Sequence, residues 1–370
     1  MQLTSLSIIN YRNIATATLE LSGGINCFLG RNGAGKTNLL DAVYYLSFCK
    51  SFLGCQDSQN IRDGEKMMMI QGRYERAETE EIIYCGVKRG QKKQFRRNRK
   101  DYVKISDHIG LLPLVIISPA DEELIYGSSE ERRRYIDSII SQCDPQYLDA
   151  VVRYNNAVRQ RNALLKQFEG QMPADRSLIE IIDLQLADLG NRIYGARCRF
   201  AEWLEPIFTD FYHLISGGTE DVAIRYVSGL QRYDFADGLR ETLARDVALG
   251  YTSRGIHKDE LDFTLKGLPL RKTGSQGQKK SFAIAMRLAQ FRYLTQHNGF
   301  RPILLLDDVF DKLDSDRAAN LIGLVAGDTF DQIFITDTDR RHLLEILAQV
   351  NKKYRIFDVD NGLVTESQNQ

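Results

Sequence analysis

No apolar stretch in this chain can span a bilayer. The longest, Leu111–Ile117, is seven residues and contains Pro113, against the roughly 20 that a membrane helix needs. Charge of one sign is also lacking. Lysine and arginine total 49, aspartate and glutamate total 49, and the formal net charge is zero. Any attraction for nucleic acid therefore has to come from a local patch. Cysteine is sparse. Cys27, Cys49, Cys55, Cys85, Cys143 and Cys198 include no Cys-x-x-Cys pair and no finger spacing with a histidine, which gives no basis for a disulfide framework or a zinc module. Residues 1–13 carry no apolar core like that of a secretion signal, so a reducing, cytoplasmic setting is expected, with no membrane partner. The single tryptophan, Trp203, lies on a helical apolar face and is expected in a core. What is present is ordinary for a globular protein: 43% hydrophobic and 26% charged residues over 370 positions. That length suggests about two or three domains.

The pattern of elements divides the chain. Leu3–Ile9 and Ala17–Leu21 read as strands, and Ile25–Leu29 as a buried strand leading into a helix with apolar spacing over 38–47. Residues 67–117 are β-rich, with Ile82–Val87 and Leu114–Ile117 the clearest strands. Helical periodicity then dominates over 135–140, 147–168, 178–203 and 235–249, punctuated by Pro173, Pro206 and Gly217-Gly218. Strand and helix signals return at 261–265, 277–290, 303–306, 332–336 and 340–350. This order predicts an α/β domain with an inserted, mainly helical lobe: residues 1–118, the insert 119–250, and 251–370. The polar end, Glu366–Gln370, is expected to fray.

Between the strand and helix of 25–47 lies Gly30-Arg31-Asn32-Gly33-Ala34-Gly35-Lys36-Thr37, which fits G-x-x-x-x-G-K-[ST] at every fixed position. The glycines let backbone N–H groups wrap anionic oxygens, and the helix start adds its positive dipole end. Lys36 is expected to reach the β- and γ-phosphates and Thr37 to place a hydroxyl on Mg²⁺. A second apolar strand, Ile303–Leu306, ends in Asp307-Asp308. Asp307 is the candidate for the metal shell, and Asp308 for orienting or deprotonating the attacking water. A solvated acidic strand end is the plainer alternative. Gly274-Ser275-Gln276-Gly277-Gln278 opens a further helix and supplies a second anion cradle.

The order Gly30–Thr37, Ser275–Gln278, Leu306–Asp308, Leu313-Asp314 resembles the ABC-type ATPases, and the spacing resembles their Rad50/SMC-like heads without a long coiled coil. The segment from Thr37 to Ser275 carries no sustained heptads. The sequence lacks a leucine-serine-glycine-glycine signature, a histidine directly after the strand ending at Thr336, and a clear sensor glutamine near Ser118. Tyr11-Arg12-Asn13, 38–46, Ser118–Asp121, 132–137, Gln160–Leu165 and Gly255–Leu261 together resemble the RecF family of bacterial recombination mediators. Ile256 and Glu260 depart from that pattern without touching the proposed chemistry, and Lys279-Lys280 departs from it while keeping a cation nearby.

The resemblance implies ATP and Mg²⁺ as cofactors and a nucleotide site of Gly30, Arg31, Asn32, Gly33, Ala34, Gly35, Lys36, Thr37, Arg12 and Asn13. It also implies Ser275, Gly277 and Gln278 reaching a second protomer's ATP in a head-to-tail homodimer. Duplex and gapped DNA would be the ligand, with RecR and RecO as partners and RecA loading as the outcome, in recombinational repair and fork maintenance. Slow hydrolysis is expected, because Asp308 is shorter than glutamate.

For DNA the strongest patch is 88–100, in which eight of thirteen residues are basic and none acidic. Lys92, Lys93, Arg96, Arg97 and Arg99 are its candidate phosphate contacts. A solvated hairpin is the competing reading. Arg132, Arg133 and Arg134 form a second cluster, in which at least one is expected to pair with a carboxylate such as Asp137. His257 is read either as lying near ATP or as structural. A transporter subunit, an ATPase fused to a nuclease and a non-hydrolysing DNA clamp are the other function classes; the first two fit the sequence less well.

Overall fold

The computed structural model describes all residues except 77–78, 169, 173–174, 219, 311–312 and 368–370. Pro173 and the last residues of the polar end therefore lie outside the described residues. Two compact units emerge from the contacts. One comprises 1–121, 212–218 and 280–370; the other comprises 122–211 and 219–279. The sequence pattern set a boundary at 250, whereas 251–279 falls in the second unit. The reason is pairing: the strand Glu260–Leu265 is bonded to Val222–Val227 of that unit.

In chain order the elements are β1 Gln2–Tyr11, β2 Ile14–Glu20, β3 Ile25–Leu29, α1 Lys36–Phe48, β4 Met67–Arg76, β5 Thr79–Lys88, β6 Gln94–Arg97, β7 Lys100–Asp101 and β8 Leu114–Ile117. There follow α2 Glu123–Tyr126, α3 Ser129–Cys143, α4 Pro145–Gln167, α5 Ser177–Ser216, β9 Val222–Val227, α6 Phe235–Leu249, β10 Glu260–Leu265, β11 Leu268–Pro269 and α7 Leu270–Thr273. The chain closes with α8 Gln276–Asn298, β12 Ile303–Leu306, α9 Ser315–Ala326, β13 Ile333–Asp337, α10 Arg340–Ala348, β14 Tyr354–Asp360 and β15 Leu363–Glu366.

The first unit holds two six-stranded sheets. One is antiparallel, in the order β2-β1-β4-β5-β6-β7. The other runs β15-β14-β3-β13-β12-β8, parallel except for β15. Every residue of β3, β8 and β12 is buried, and all but Asn26 are apolar, as expected where both faces of a sheet are covered. Helix α1 is buried over most of its girth. Its Leu39, Val43 and Leu46 share one core cluster with Leu3, Leu6, Ile8, Ile70 and Ile83 of the antiparallel sheet and Phe28, Leu305 and Phe334 of the parallel one. Sheet order decides the site. β13 lies between β3 and β12, so the carboxyl ends of these three parallel strands converge where such sheets bind ligands.

The second unit is mainly helical but carries the three-stranded sheet β11-β10-β9. Strand β9 was not legible among the surrounding helical signals. Helix α5 also departs from expectation, because it runs through Pro206 to Ser216. An interior proline costs about 3 kcal/mol. Here it sits on the exposed side, while Phe200, Leu204, Phe208, Tyr212 and Ile215 form a buried stripe that offsets the loss. Trp203 is half-buried on this helix, not in the core. Strands β14 and β15 and helix α9 complete the chain beyond the elements anticipated.

Candidate functional site

The loop between β3 and α1 is shaped by its glycines. Gly35 adopts φ +119, and a Cβ there would meet the Asn13 amide at 2.8 Å. Gly30 runs against the Val359 carbonyl, leaving no room for a side chain. The Gly30 N–H donates to the Asp337 carbonyl (3.3 Å), which ties the loop to β13. Arg31, Asn32 and Gly33 are exposed, while Ala34, Gly35 and Lys36 are buried. The Lys36 ammonium is turned onto the loop, donating to the Gly30 carbonyl at 2.8 Å and the Arg31 carbonyl at 3.4 Å.

Asp307 and Asp308 follow β12. The Thr37 hydroxyl donates to Asp307 Oδ1 at 3.0 Å, so the first turn of α1 and the end of β12 are in direct contact. Thr336 at the end of β13 joins them. Its hydroxyl is 3.0 Å from Asp307 Oδ1 and 3.2 Å from Asp308 Oδ1, and it accepts from the Asp308 N–H at 2.9 Å. Burial pushes the Asp307 carboxyl above its ordinary pKa, and hydrogen bonds from Thr336 and Thr37 oppose the shift. Sequence reasoning missed Thr336. The only signal for it was a hydroxyl closing a buried strand.

Asn13 braces the loop, whereas Arg12 beside it is turned onto Asp41 of α1 and Ser51. Asn13 donates to the Ala34 carbonyl at 2.9 Å and accepts from Asn38 at 2.8 Å. Arg12 lies 3.3 Å from Asp41 and donates to the Ser51 hydroxyl at 3.2 Å. Asp41, fully buried on α1, also accepts from the Tyr11 hydroxyl, the Ser51 hydroxyl and the Phe52 N–H.

The RecF/RecN/SMC N terminal domain family matches residues 2–365. The DNA replication and repair protein RecF of Parabacteroides distasonis is 49% identical over 98% of this chain and 99% of its own length. That of Bacteroides fragilis is 49% identical over 99% and 98% respectively. The chain belongs to the RecF family. A solved structure of the recombination mediator protein RecF with ATP in the RecFOR pathway superposes with a TM-score of 0.88 at 29% identity, covering 99% of this chain and 98% of that one. A Pyrococcus furiosus Smc head, at a TM-score of 0.59 and 16% identity, shares the fold. The architecture is thus the ABC/SMC-like head fold.

In this RecF-family chain the residues fit a nucleotide with a hard cation. A glycine-lined cradle, an ammonium at its base and a hydroxyl beside a buried carboxylate are the donor set that phosphates and Mg²⁺ use. Thr37 and Asp307, in contact at 3.0 Å, are the pair that would face such a cation. Among the described residues, no group of three or more His, Cys, Asp or Glu is poised to hold a metal.

Ser275, Gly277 and Gln278 belong to the second unit. Ser275 and Gln278 close a reciprocal cap at the start of α8: the Gln278 N–H donates to the Ser275 hydroxyl (3.2 Å) and the Ser275 N–H to Gln278 Oε1 (2.7 Å). Gln278 also donates to Glu220 at 2.6 Å. His257 is a structural residue of this unit. Its Nε2 pairs with the Thr252 carbonyl and its Nδ1 with the Tyr154 hydroxyl, and burial lowers its pKa to about 4. The arginine cluster is paired, but not with Asp137. Arg132 holds Glu260 (2.7 Å), Arg133 the Asp259 carbonyl (2.6 Å), and Arg134 holds Glu130 and Glu131. Asp137 pairs with Arg197 instead.

The basic hairpin is partly neutralised. Arg97 forms a bidentate pair with Glu81 (2.8 and 2.7 Å) and Arg96 meets Asp101 (2.9 Å). Lys93 turns inward to Asp57 (2.9 Å) and the Cys49 carbonyl (2.5 Å), at the C-terminal end of α1. Lys92 and Arg99 stay exposed. Arg99 and Asn98, at φ +68 and +49, form the two-residue turn between β6 and β7. Among the described residues no helix is long and apolar enough to cross a membrane.

Proposed function

We propose that this protein is an ATP-dependent DNA-binding protein of recombinational repair whose dimer is held together by shared nucleotide. The observation that carries the reading is the contact of Thr37 with Asp307, flanked by Lys36 and Asp308, at the mouth of the glycine cradle. Lys36 would leave the Gly30 carbonyl for the β- and γ-phosphates, and the N–H groups of 33–37 would hold the same oxygens. Thr37 and Asp307 would hold Mg²⁺, which when bound supplies charge neutralisation on the phosphate oxygens. Asp308 would orient the attacking water and take its proton.

Ser275, Gly277 and Gln278 would present the start of α8 to the ATP of a second protomer. Nucleotide then forms part of the interface, and ATP favours the dimer by linkage. Hydrolysis releases it, slowly, because aspartate reaches less far than glutamate. Exposed Lys92 and Arg99 would meet the phosphates of duplex or gapped DNA. RecR and RecO would be the protein partners and RecA loading at gaps the outcome. The relatives named for replication and repair, and the RecF of the RecFOR pathway, support this reading.

Sedimentation of the purified protein with and without ATP and Mg²⁺, beside Lys36→Met and Ser275→Arg, tests it. Conversion of monomer to dimer by ATP, abolished in both variants, is the expected result. A wild type that stays monomeric at saturating ATP removes the shared-nucleotide dimer. Asp308→Asn is expected to trap the ATP-bound dimer.

A further inference from the structure

The carboxylate pair at the end of β12 is not held by its own strand. Asp308 adopts φ +48, the left-handed region that few side chains other than aspartate and asparagine enter. The Asp308 N–H points toward β13. There it finds a side chain: it donates to the Thr336 hydroxyl oxygen at 2.9 Å. The same hydroxyl stands 3.2 Å from Asp308 Oδ1 and 3.0 Å from Asp307 Oδ1. Thr336 thus meets Asp308 at both backbone and carboxylate. It is 1% exposed and sits on the strand between the phosphate-loop strand and the Asp-Asp strand, so its hydroxyl position is set by the sheet.

The hydroxyl has one proton and two carboxylate neighbours, and donates to one at a time. Asp307 Oδ1 already accepts from Thr37. Cation charge on Asp307 would weaken that oxygen as an acceptor and leave the Thr336 proton to Asp308. An apolar residue of the same shape, such as valine, would fill the space, but it could neither accept the Asp308 N–H nor donate to either carboxylate.

We propose that Thr336 is the positioning residue for Asp308: its hydroxyl fixes the left-handed backbone and the carboxylate direction needed to align water for attack on the γ-phosphate. The proposal rests on the reading of Asp308 as the water-orienting group, and the experiment separates the two. ATPase kinetics are measured for wild type, Thr336→Val, Thr336→Ser, Asp308→Asn and the Asp308→Asn/Thr336→Val double variant. Hydrogen exchange of the Asp308 amide is measured in the nucleotide-free proteins. Thr336→Val is expected to lower kcat by about ten-fold or more, with KM for ATP changed by less than about three-fold. Thr336→Ser restores kcat to within about three-fold, since it keeps the hydroxyl. On the Asp308→Asn background Thr336→Val causes no further loss, because both act through one group. The Asp308 amide exchanges faster in Thr336→Val and returns toward wild type in Thr336→Ser. Thr336→Ala carries the same expectations as valine and replaces it if valine disturbs the sheet.

A normal kcat in Thr336→Val or Thr336→Ala, a serine variant as slow as valine, unchanged Asp308 amide exchange, or a loss that adds to that of Asp308→Asn overturns the proposal. A normal kcat in Asp308→Asn instead overturns the assignment of Asp308, whatever Thr336 does.

Discussion

Thr37 and Asp307 are 270 residues apart in the chain and 3.0 Å apart in space, hydroxyl to carboxylate. That contact welds the first turn of the phosphate-loop helix to the end of the Asp-Asp strand. Everything proposed for catalysis depends on both ends of it.

Asp307→Asn keeps the shape and the Thr37 hydrogen bond but removes the negative charge that would face Mg²⁺. Hydrolysis in saturating Mg²⁺ is expected to fall by about 100-fold, the scale of losing one preorganised electrostatic group. Nucleotide affinity measured in EDTA should change little, because Lys36 and the loop are intact. Equal loss of affinity with and without Mg²⁺ would place Asp307 in general folding of the site. The melting temperature is expected to hold or rise, since burial holds the carboxyl above its ordinary pKa and the amide carries no charge to desolvate.

Two histidines make stability depend on pH. His108 and His257 are bonded alike, Nε2 to a carbonyl and Nδ1 to a tyrosine hydroxyl: Leu46 and Tyr102 for the first, Thr252 and Tyr154 for the second. Burial holds both pKa values down at about 4, against about 6.5 in the unfolded chain. The unfolded state therefore binds more protons between these values, and stability rises with pH through the window. Each contribution is fully present above about pH 6.5 and is lost progressively as pH falls toward 4, up to roughly 3 kcal/mol per histidine. Urea denaturation across pH 4–7.5 checks this. His108→Gln and His257→Gln should each flatten the slope, and an unchanged slope in either removes that residue from the linkage.

Much of the site was legible in the sequence because local and global signals coincide there. Ile25–Leu29 is apolar but for Asn26, ends in the glycine loop and is followed by helical spacing, and the structure has β3, loop and α1 in that order. Ile303–Leu306 was legible for the same reason, as a buried parallel strand is a continuous apolar run. Thr336 was not, because its role depends on β13 lying between β3 and β12, an order no local pattern encodes. The charge run at 88–100 could not reveal its own pairing. Arg97 meets Glu81 because β5 and β6 are antiparallel neighbours, and Lys93 reaches Asp57 across 36 positions of sequence. The short alternation of β9 was submerged in flanking helices, and Pro206 suggested a break that the buried stripe of α5 overrides.

That pairing sorts the basic hairpin into two classes with different readouts. Lys92→Gln and Arg99→Gln remove exposed charges. If each residue meets a phosphate, each substitution should reduce the slope of log affinity against log salt for duplex DNA by about 0.9, with the melting temperature unchanged. Lys93→Met and Arg97→Gln should behave oppositely, lowering stability by up to about 1 kcal/mol through loss of the pairs with Asp57 and Glu81 while leaving the salt slope alone. A slope that responds to Lys93 or Arg97 but not to Lys92 or Arg99 would mean that the hairpin rearranges on DNA.

The strongest single test of the second unit is Arg161, whose side chain is fully buried on α4. It donates to Asp183 at 2.5 Å, to Asp246 at 2.6 Å and to the Thr252 hydroxyl at 3.1 Å, tying α4 to α5, α6 and the segment before β10. Asp246 spends its other oxygen on Ser253, accepting from both its N–H and its hydroxyl. Arg161→Met keeps much of the volume but leaves two carboxylates in the interior without their cation. The expected cost is about 3–5 kcal/mol, because the penalty is that of an uncompensated buried charge and not the modest net worth of the pair. The distinction is measurable. Adding Asp183→Asn and Asp246→Asn to Arg161→Met removes the stranded charges, and chemical denaturation should then show most of the lost stability regained. A triple variant no more stable than Arg161→Met would assign the loss to the geometry of the guanidinium bridge between helices and not to charge.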